Sequence, residues 1–204
     1  KYVDIPTGQH EGVTIGWGGS LSHFDSFNQS GFLKAIQRVC AARPQVRVMI
    51  NGSNLDIFDL LPIPAEQKIL RPWVPYPRWS HELAHYDIGL APLNGPYDER
   101  RSWIKVLEYL VMKIPWVASE GPTYHELRPY GWLVKNEASA WERILLDMVD
   151  HIEDYRAEAA KEPYFFGISQ NIEGNIQNVL TTYAEIIQSA TGKVLDPASP
   201  IRLA

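Results

Sequence analysis

A single cysteine, Cys40, in a chain of 204 residues leaves no partner for a disulfide framework, and that usage predicts a reducing, cytoplasmic compartment. No apolar run reaches the roughly 18 residues that a membrane-spanning helix needs, so no transmembrane segment is expected. The N-terminus lacks an apolar core of signal-peptide length, and because the chain starts at Lys1 rather than Met we read it as a piece of a longer protein. Positive charge is not in excess. Lys and Arg number 19 against 24 Asp and Glu, and a net charge of −5 offers no global field for nucleic acid. A local cationic patch for a phosphate is compatible with that balance. Zinc-ligand spacing is absent: His81 and His85 stand four apart but lack a third ligand and the metalloprotease signature, so no metal site is expected. Internal repeats and low-complexity segments are also missing.

What is present is the composition of a globular α/β protein, 45% hydrophobic and 21% charged. Six short apolar runs without alternation read as strands buried on both faces: 13–17, 46–50, 69–74, 88–93, 116–119 and 132–134. The prolines in the third and fourth runs shorten those strands. Helical periodicity fills the intervals. Phe32, Leu33, Ile36, Val39 and Cys40 share one face of a helix that Arg43-Pro44 ends. A short turn covers 81–86. A stronger helix covers 102–112, with Ile104, Leu107 and Val111 on its inner face, and longer ones cover 138–160 and 173–190. The last is built on Ile176, Val179, Leu180, Tyr183 and Ile187. Residues 161–167 read as a hinge. This alternation predicts a doubly wound, Rossmann-like parallel sheet with helices on both faces, as one domain over 1–190. Residues 191–204 read as a loosely held tail. Ligands of such sheets bind at the carboxyl ends of the strands.

Two segments at those ends carry chemistry. Gly18-Gly19-Ser20 follows the first strand, where glycines let a backbone approach a ligand and free amides can cradle an anion. It matches neither the GxGxxG fingerprint nor a Walker loop, and it serves either a tight turn or a phosphate contact. His23, just beyond, is either a ligand contact or a surface polar residue. The second segment is the loop from Asn94 to Arg101 and the first turn of the helix after it. Arg100, Arg101, Ser102 and Lys105 there offer cations and free helix amides to a phosphate or diphosphate. Arg101, Lys105 and Glu108 form one stripe at i, i+4, i+7. Glu108 lies among Val106, Leu107, Tyr109, Leu110, Val111 and Met112, where a carboxylate needs donors. Those donors are either Lys105, as an ordinary helix pair, or the hydroxyls of a sugar.

The seven tryptophans divide. Trp17, Trp116, Trp132 and Trp141 occupy strands or a core helix face and read as packing, whereas Trp73, Trp79 and Trp103 lie nearer loops, where one could face a nucleobase. Cys40 reads as a buried core thiol. Tyr124-His125-Glu126 either abuts the site or forms a plain turn.

In order along the chain, Asp87-Ile88-Gly89-Leu90-Ala91-Pro92-Leu93, Arg101-Ser102-Trp103-Ile104-Lys105-Val106-Leu107-Glu108-Tyr109 and Ile114-Pro115-Trp116-Val117-Ala118-Ser119 resemble the C-terminal domain of group 1 (family 4) glycosyltransferases of GT-B architecture. Ile15 to Ser20 resembles that domain's opening strand and loop, and Gly131 to Val134 the strand before its closing helices. The resemblance implies a donor-binding domain in which Glu108 holds the ribose hydroxyls of a nucleotide-diphosphate sugar. Gly18, Gly19, Ser20, Arg100, Arg101, Ser102 and Lys105 would meet the diphosphate and the donor sugar. It further implies no metal and no cofactor, a retaining transfer, and an acceptor bound by an N-terminal domain outside this chain, with the full-length enzyme cytoplasmic or peripheral to a membrane. No catalytic residue is assigned, and this piece alone is expected to be inactive. One departure matters: where many relatives carry a Glu eight positions before the ribose-binding one, this chain has Arg100. That departure keeps open a non-catalytic binding module, and an epimerase-like GT-B enzyme is the other alternative.

Overall fold

The computed structural model describes residues 5–8, 10–52, 55–192 and 194; of the expected tail, 193 and 195–204 lie outside the described residues. Strands β1 (Val13–Gly18), β2 (Val46–Asn51), β3 (Lys68–Arg71), β4 (Ile88–Ala91), β5 (Trp116–Ser119) and β6 (Trp132–Val134) fall within or beside the six apolar runs. β3 stops before Pro72 and β4 before Pro92, because proline cannot donate to a ladder. The strands pair in parallel in the order β3-β2-β1-β4-β5-β6.

Parallel strands need cover on both faces. On one face, α1 (Phe24–Gln29), α2 (Phe32–Ala42), α3 (Leu55–Leu60) and α6 (Ala138–Asp150) bury Val13, Ile15 and Trp17 of β1. A file of edge-on aromatic rings, Trp17, Phe27, Phe32 and Trp141, runs through this layer with centroids 5.0 to 5.7 Å apart. Cys40 is buried in the same core, and burial pushes its thiol up to about 12, as an inert packing residue requires. On the other face, α4 (Tyr76–Leu83), α5 (Ile104–Val111) and α8 (Glu162–Ser169) cover Met49, Ala91, Trp116 and Ala118. Here glycines in the strands admit rings: a Cβ on Gly16 would enter the Tyr86 ring, and one on Gly89 the Tyr109 ring. Tyr109 cannot swing aside freely, since it is buried and its hydroxyl donates to the Leu90 carbonyl at 2.9 Å. Gly89→Val is therefore expected to destabilise the fold by about 1–3 kcal/mol, the range for overpacking. Urea denaturation checks this, and an unchanged midpoint would mean the ring relocates at no cost.

Local sequence differs from the observed helices in instructive places. The predicted 138–160 helix is two, α6 and α7 (Ile152–Ala159), broken at His151 with φ −125° and ψ 33°. The break places the Tyr155 ring 4.7 Å from Trp132 and lets Arg156 pair with the buried carboxylate of Asp87. The predicted hinge at 161–167 is mostly helix α8. Pro163 sits in its first turn, where no N–H is needed, and Gly167 lets it press against Leu110 and Val111 of α5. Likewise α4 starts well before the predicted turn, with Pro77 in its first turn. The apolar residues expected to anchor the final helix α9 (Ile172–Thr191) are largely solvent-facing, Tyr183 at 61% and Ile176 at 43% exposure, and only Ala184 is buried.

Candidate functional site

β1 and β4 are neighbours, yet β1 leads outward to β2 and β4 leads the other way to β5. The connections after these two strands part, and they leave the crevice where doubly wound sheets take their ligands. Gly18, Gly19 and Ser20 of the first connection line a cavity of about 410 Å³, and Glu108 of α5 lines it too. Trp73, 70% exposed in the segment after β3, and Tyr76 at the start of α4 also line it. Asn51, fully buried at the end of β2, forms part of its lining. Its side chain accepts a hydrogen bond from Tyr86 at 2.6 Å and donates to Glu82 at 3.0 Å.

The tryptophans near loops divide between two places. Trp73 and Trp79 both line the cavity, Trp79 packing where a Cβ on Gly18 would lie, whereas Trp103 tilts against Phe166 at 6.2 Å. Trp17, Trp116 and Trp141 are buried, and Tyr124 is buried beside Trp116 rather than facing the crevice.

Lys105, in the first turn of α5, donates from Nζ to the Gly18 carbonyl, with the ammonium 4.9 Å from the Trp17 ring centroid. The cation is thus held against the β1 connection. Burial lowers its pKa to about 8; Glu108, one turn on, opposes that shift and Arg101 adds to it. His23 lies in the same cluster, edge-on to Trp17 at 5.4 Å and 7% exposed. Burial, then Lys105 and Arg101, lower its pKa to about 3, so the imidazole is neutral at physiological pH.

Arg101 departs from the stripe that the sequence suggested. α5 begins only at Ile104, after Trp103, so Arg101 belongs to the preceding loop. Its Nε donates to Asp98 at 2.5 Å, and its NH2 to the Ser22 carbonyl and hydroxyl at 2.9 and 3.1 Å. It bridges the connections after β1 and β4. Arg100 ends a 3-10 turn and, like Ser102, is exposed; of the predicted donor contacts Gly18, Gly19, Ser20 and Glu108 line the cavity, whereas Arg100, Arg101, Ser102 and Lys105 are not part of its lining. The buried face of α5 consists of Val106, Tyr109 and Leu110, whereas Ile104 is 62% exposed. An almost uniformly apolar helix gives periodicity too little contrast to select its inner face.

The residue that sequence reasoning passed over is Asp98, 3% exposed and bonded to Ser26, Asn94 and Arg101. Its signal was an acid three positions before an arginine in a polar loop.

No protein-family model matches the sequence, and no curated relative does. Solved structures do match in fold. Anabaena HepE in complex with UDP and glucose aligns with 85% of this chain and 48% of its own, at TM-score 0.65 and 16% identity. The C-terminal domain of the glycosyl transferase group 1 family protein LpcC from Francisella tularensis aligns over 81% of this chain and 87% of its own, at 0.58 and 15%. The UDP-GlcNAc 2-epimerase from Neisseria meningitidis bound to UDP-GlcNAc aligns over 84% and 44%, at 0.57 and 13%. This chain spans under half the length of HepE and of the epimerase, but most of the isolated LpcC domain. The six-stranded parallel sheet with helices on both faces has the fold of the C-terminal domain of GT-B glycosyltransferases.

Proposed function

We propose that this chain is the donor-binding domain of a glycosyltransferase that uses a nucleotide-diphosphate sugar. The observation that carries the reading is the company kept at the β1–β4 crevice. A lysine is held by the Gly18 carbonyl, and a carboxylate one turn further along the same helix lines the cavity that Gly18 also lines. The diphosphate needs cations and hydrogen-bond donors, which Lys105, Arg101 and the start of α5 supply beside the Gly18–Gly19–Ser20 turn. The ribose diol needs a carboxylate, and Glu108 is placed one turn from the phosphate cation. The nucleobase needs a flat apolar surface, for which Trp73 stands at the mouth. In this reading protein cations neutralise the leaving diphosphate without a metal, and the sugar is transferred with retention.

The acceptor is assigned to an N-terminal domain of the same longer protein. The apolar stripe of α9, Ile172, Ile176, Val179 and Tyr183, supports that partner, because a 20-residue helix with two acids and no Lys or Arg suits a protein surface better than an anionic membrane.

Calorimetry of this domain with a panel of nucleotide sugars and nucleoside diphosphates tests the donor role. Saturable binding of at least one at millimolar concentration or below is expected; no heat from any of them overturns the reading. Product analysis with the longer protein then separates transfer, which yields a glycoside, from epimerase-type chemistry, which releases a free sugar.

A further inference from the structure

Between the two connections that form the crevice lies a buried carboxylate to which the donor-binding reading gives no role. Asp98 Oδ2 accepts from the Ser26 hydroxyl at 2.5 Å and from the Asn94 amide at 2.8 Å. Its Oδ1 accepts from Arg101 Nε at 2.5 Å, and its backbone carbonyl accepts from the Thr123 hydroxyl at 2.8 Å. One side chain therefore joins α1, both ends of the 94–101 loop and the guanidinium. Burial alone would raise this carboxyl, but the bonds from Ser26, Asn94 and Arg101 outweigh it and hold the acid below the usual carboxylate range. Arg101 is in turn clamped at two of its nitrogens, with the Tyr97 ring 4.8 Å away. Among the described residues its NH1 makes no hydrogen bond.

We infer that Asp98 is a positioning residue for diphosphate binding, acting through Arg101, which it holds across the crevice with one guanidinium nitrogen left for a phosphate oxygen. The inference rests on the nucleotide-sugar reading of the site. A free arginine must be ordered when the anion arrives, whereas this one is ordered beforehand by its Nε bond to Asp98 and its NH2 bonds to Ser22. Asparagine at position 98 could not reproduce the arrangement. All three side-chain partners are donors, and an amide would present its own N–H groups to one side of them.

The test compares a nucleoside diphosphate with its nucleoside. Binding of UDP, GDP and ADP, and of uridine, guanosine and adenosine, is measured on the wild-type domain, Asp98→Asn, Arg101→Ala and the double variant. Asp98→Asn is expected to weaken the preferred diphosphate roughly tenfold, the cost of ordering one long side chain, and to leave the nucleoside unchanged. In the Arg101→Ala background the same change should cost little more. Asp98→Glu, which keeps the charge and shifts it by one methylene, is expected to give a smaller loss of the same selectivity if the asparagine variant does not fold. Equal losses for diphosphate and nucleoside, no loss for either, or a full effect without Arg101 would each overturn the inference while leaving the donor reading intact. A wild-type domain that binds no diphosphate would overturn both.

Discussion

Glu108→Ala is expected to weaken binding of the nucleotide donor about a hundredfold, while Ser139→Ala, exposed on α6, leaves it unchanged. In the proposed site the carboxylate accepts both ribose hydroxyls, and hydrogen bonds to a charged group contribute about 1.5–3 kcal/mol each. Losing the pair removes roughly 3 kcal/mol even if the second bond is the weaker, close to two orders of magnitude in affinity. Glu108 also raises the pKa of Lys105, so its removal leaves that buried ammonium less supported in the empty site. Calorimetric titration of both variants decides the matter, and equal affinities would remove Glu108 from the site.

Donor affinity is also expected to fall as pH rises through about 8. Lys105 has a pKa lowered to about 8 because its ammonium is buried, with Glu108 opposing the shift and Arg101 adding to it. Below that pH the cation is already charged when the diphosphate arrives. Above it, binding must first recapture a proton, which costs up to about tenfold in affinity per pH unit until the higher pKa of the occupied site is reached. Stability of the empty domain responds in the opposite sense. The folded pKa lies below the ordinary lysine value of 10.5, so the unfolded chain binds more protons between about 8 and 10.5. This group therefore makes the fold more stable as pH rises through that window, and its full cost is present below pH 8. Lys105→Met should flatten the affinity profile and bind weakly at every pH, without loss of thermal stability. A wild-type profile that is level from pH 7 to 10, matched by tight binding in Lys105→Met, would refute the assignment.

Much of the architecture was legible because its causes are local. The runs at β1 and β5, buried along their whole length, cannot face water on either side, and that requirement implies a parallel sheet between helices. Pro72 and Pro92 mark strand ends for a reason internal to proline. Gly18-Gly19 and the Lys105–Glu108 spacing were visible because they lie at strand ends that a doubly wound sheet brings together. Other features had no local cause. Nothing near His151 breaks a helix by propensity; the break accompanies contacts with Trp132 and Asp87. Pro163 and Gly167 read as a hinge until α5 is there to receive α8.

The sequence by itself determined the strands, their alternation with helices and which connection would carry the cations and the carboxylate, since these follow from hydrophobic period, from residue type and from the chemistry of proline and glycine. Only the tertiary structure decided which groups meet. It turned Arg101 away from the helix stripe onto Ser22, buried Asp98 beneath it, and set Trp73 rather than Trp103 beside the cavity. Side chains 70 or more positions apart share a hydrogen bond there only because the sheet lays β1 beside β4, and no local pattern encodes that adjacency.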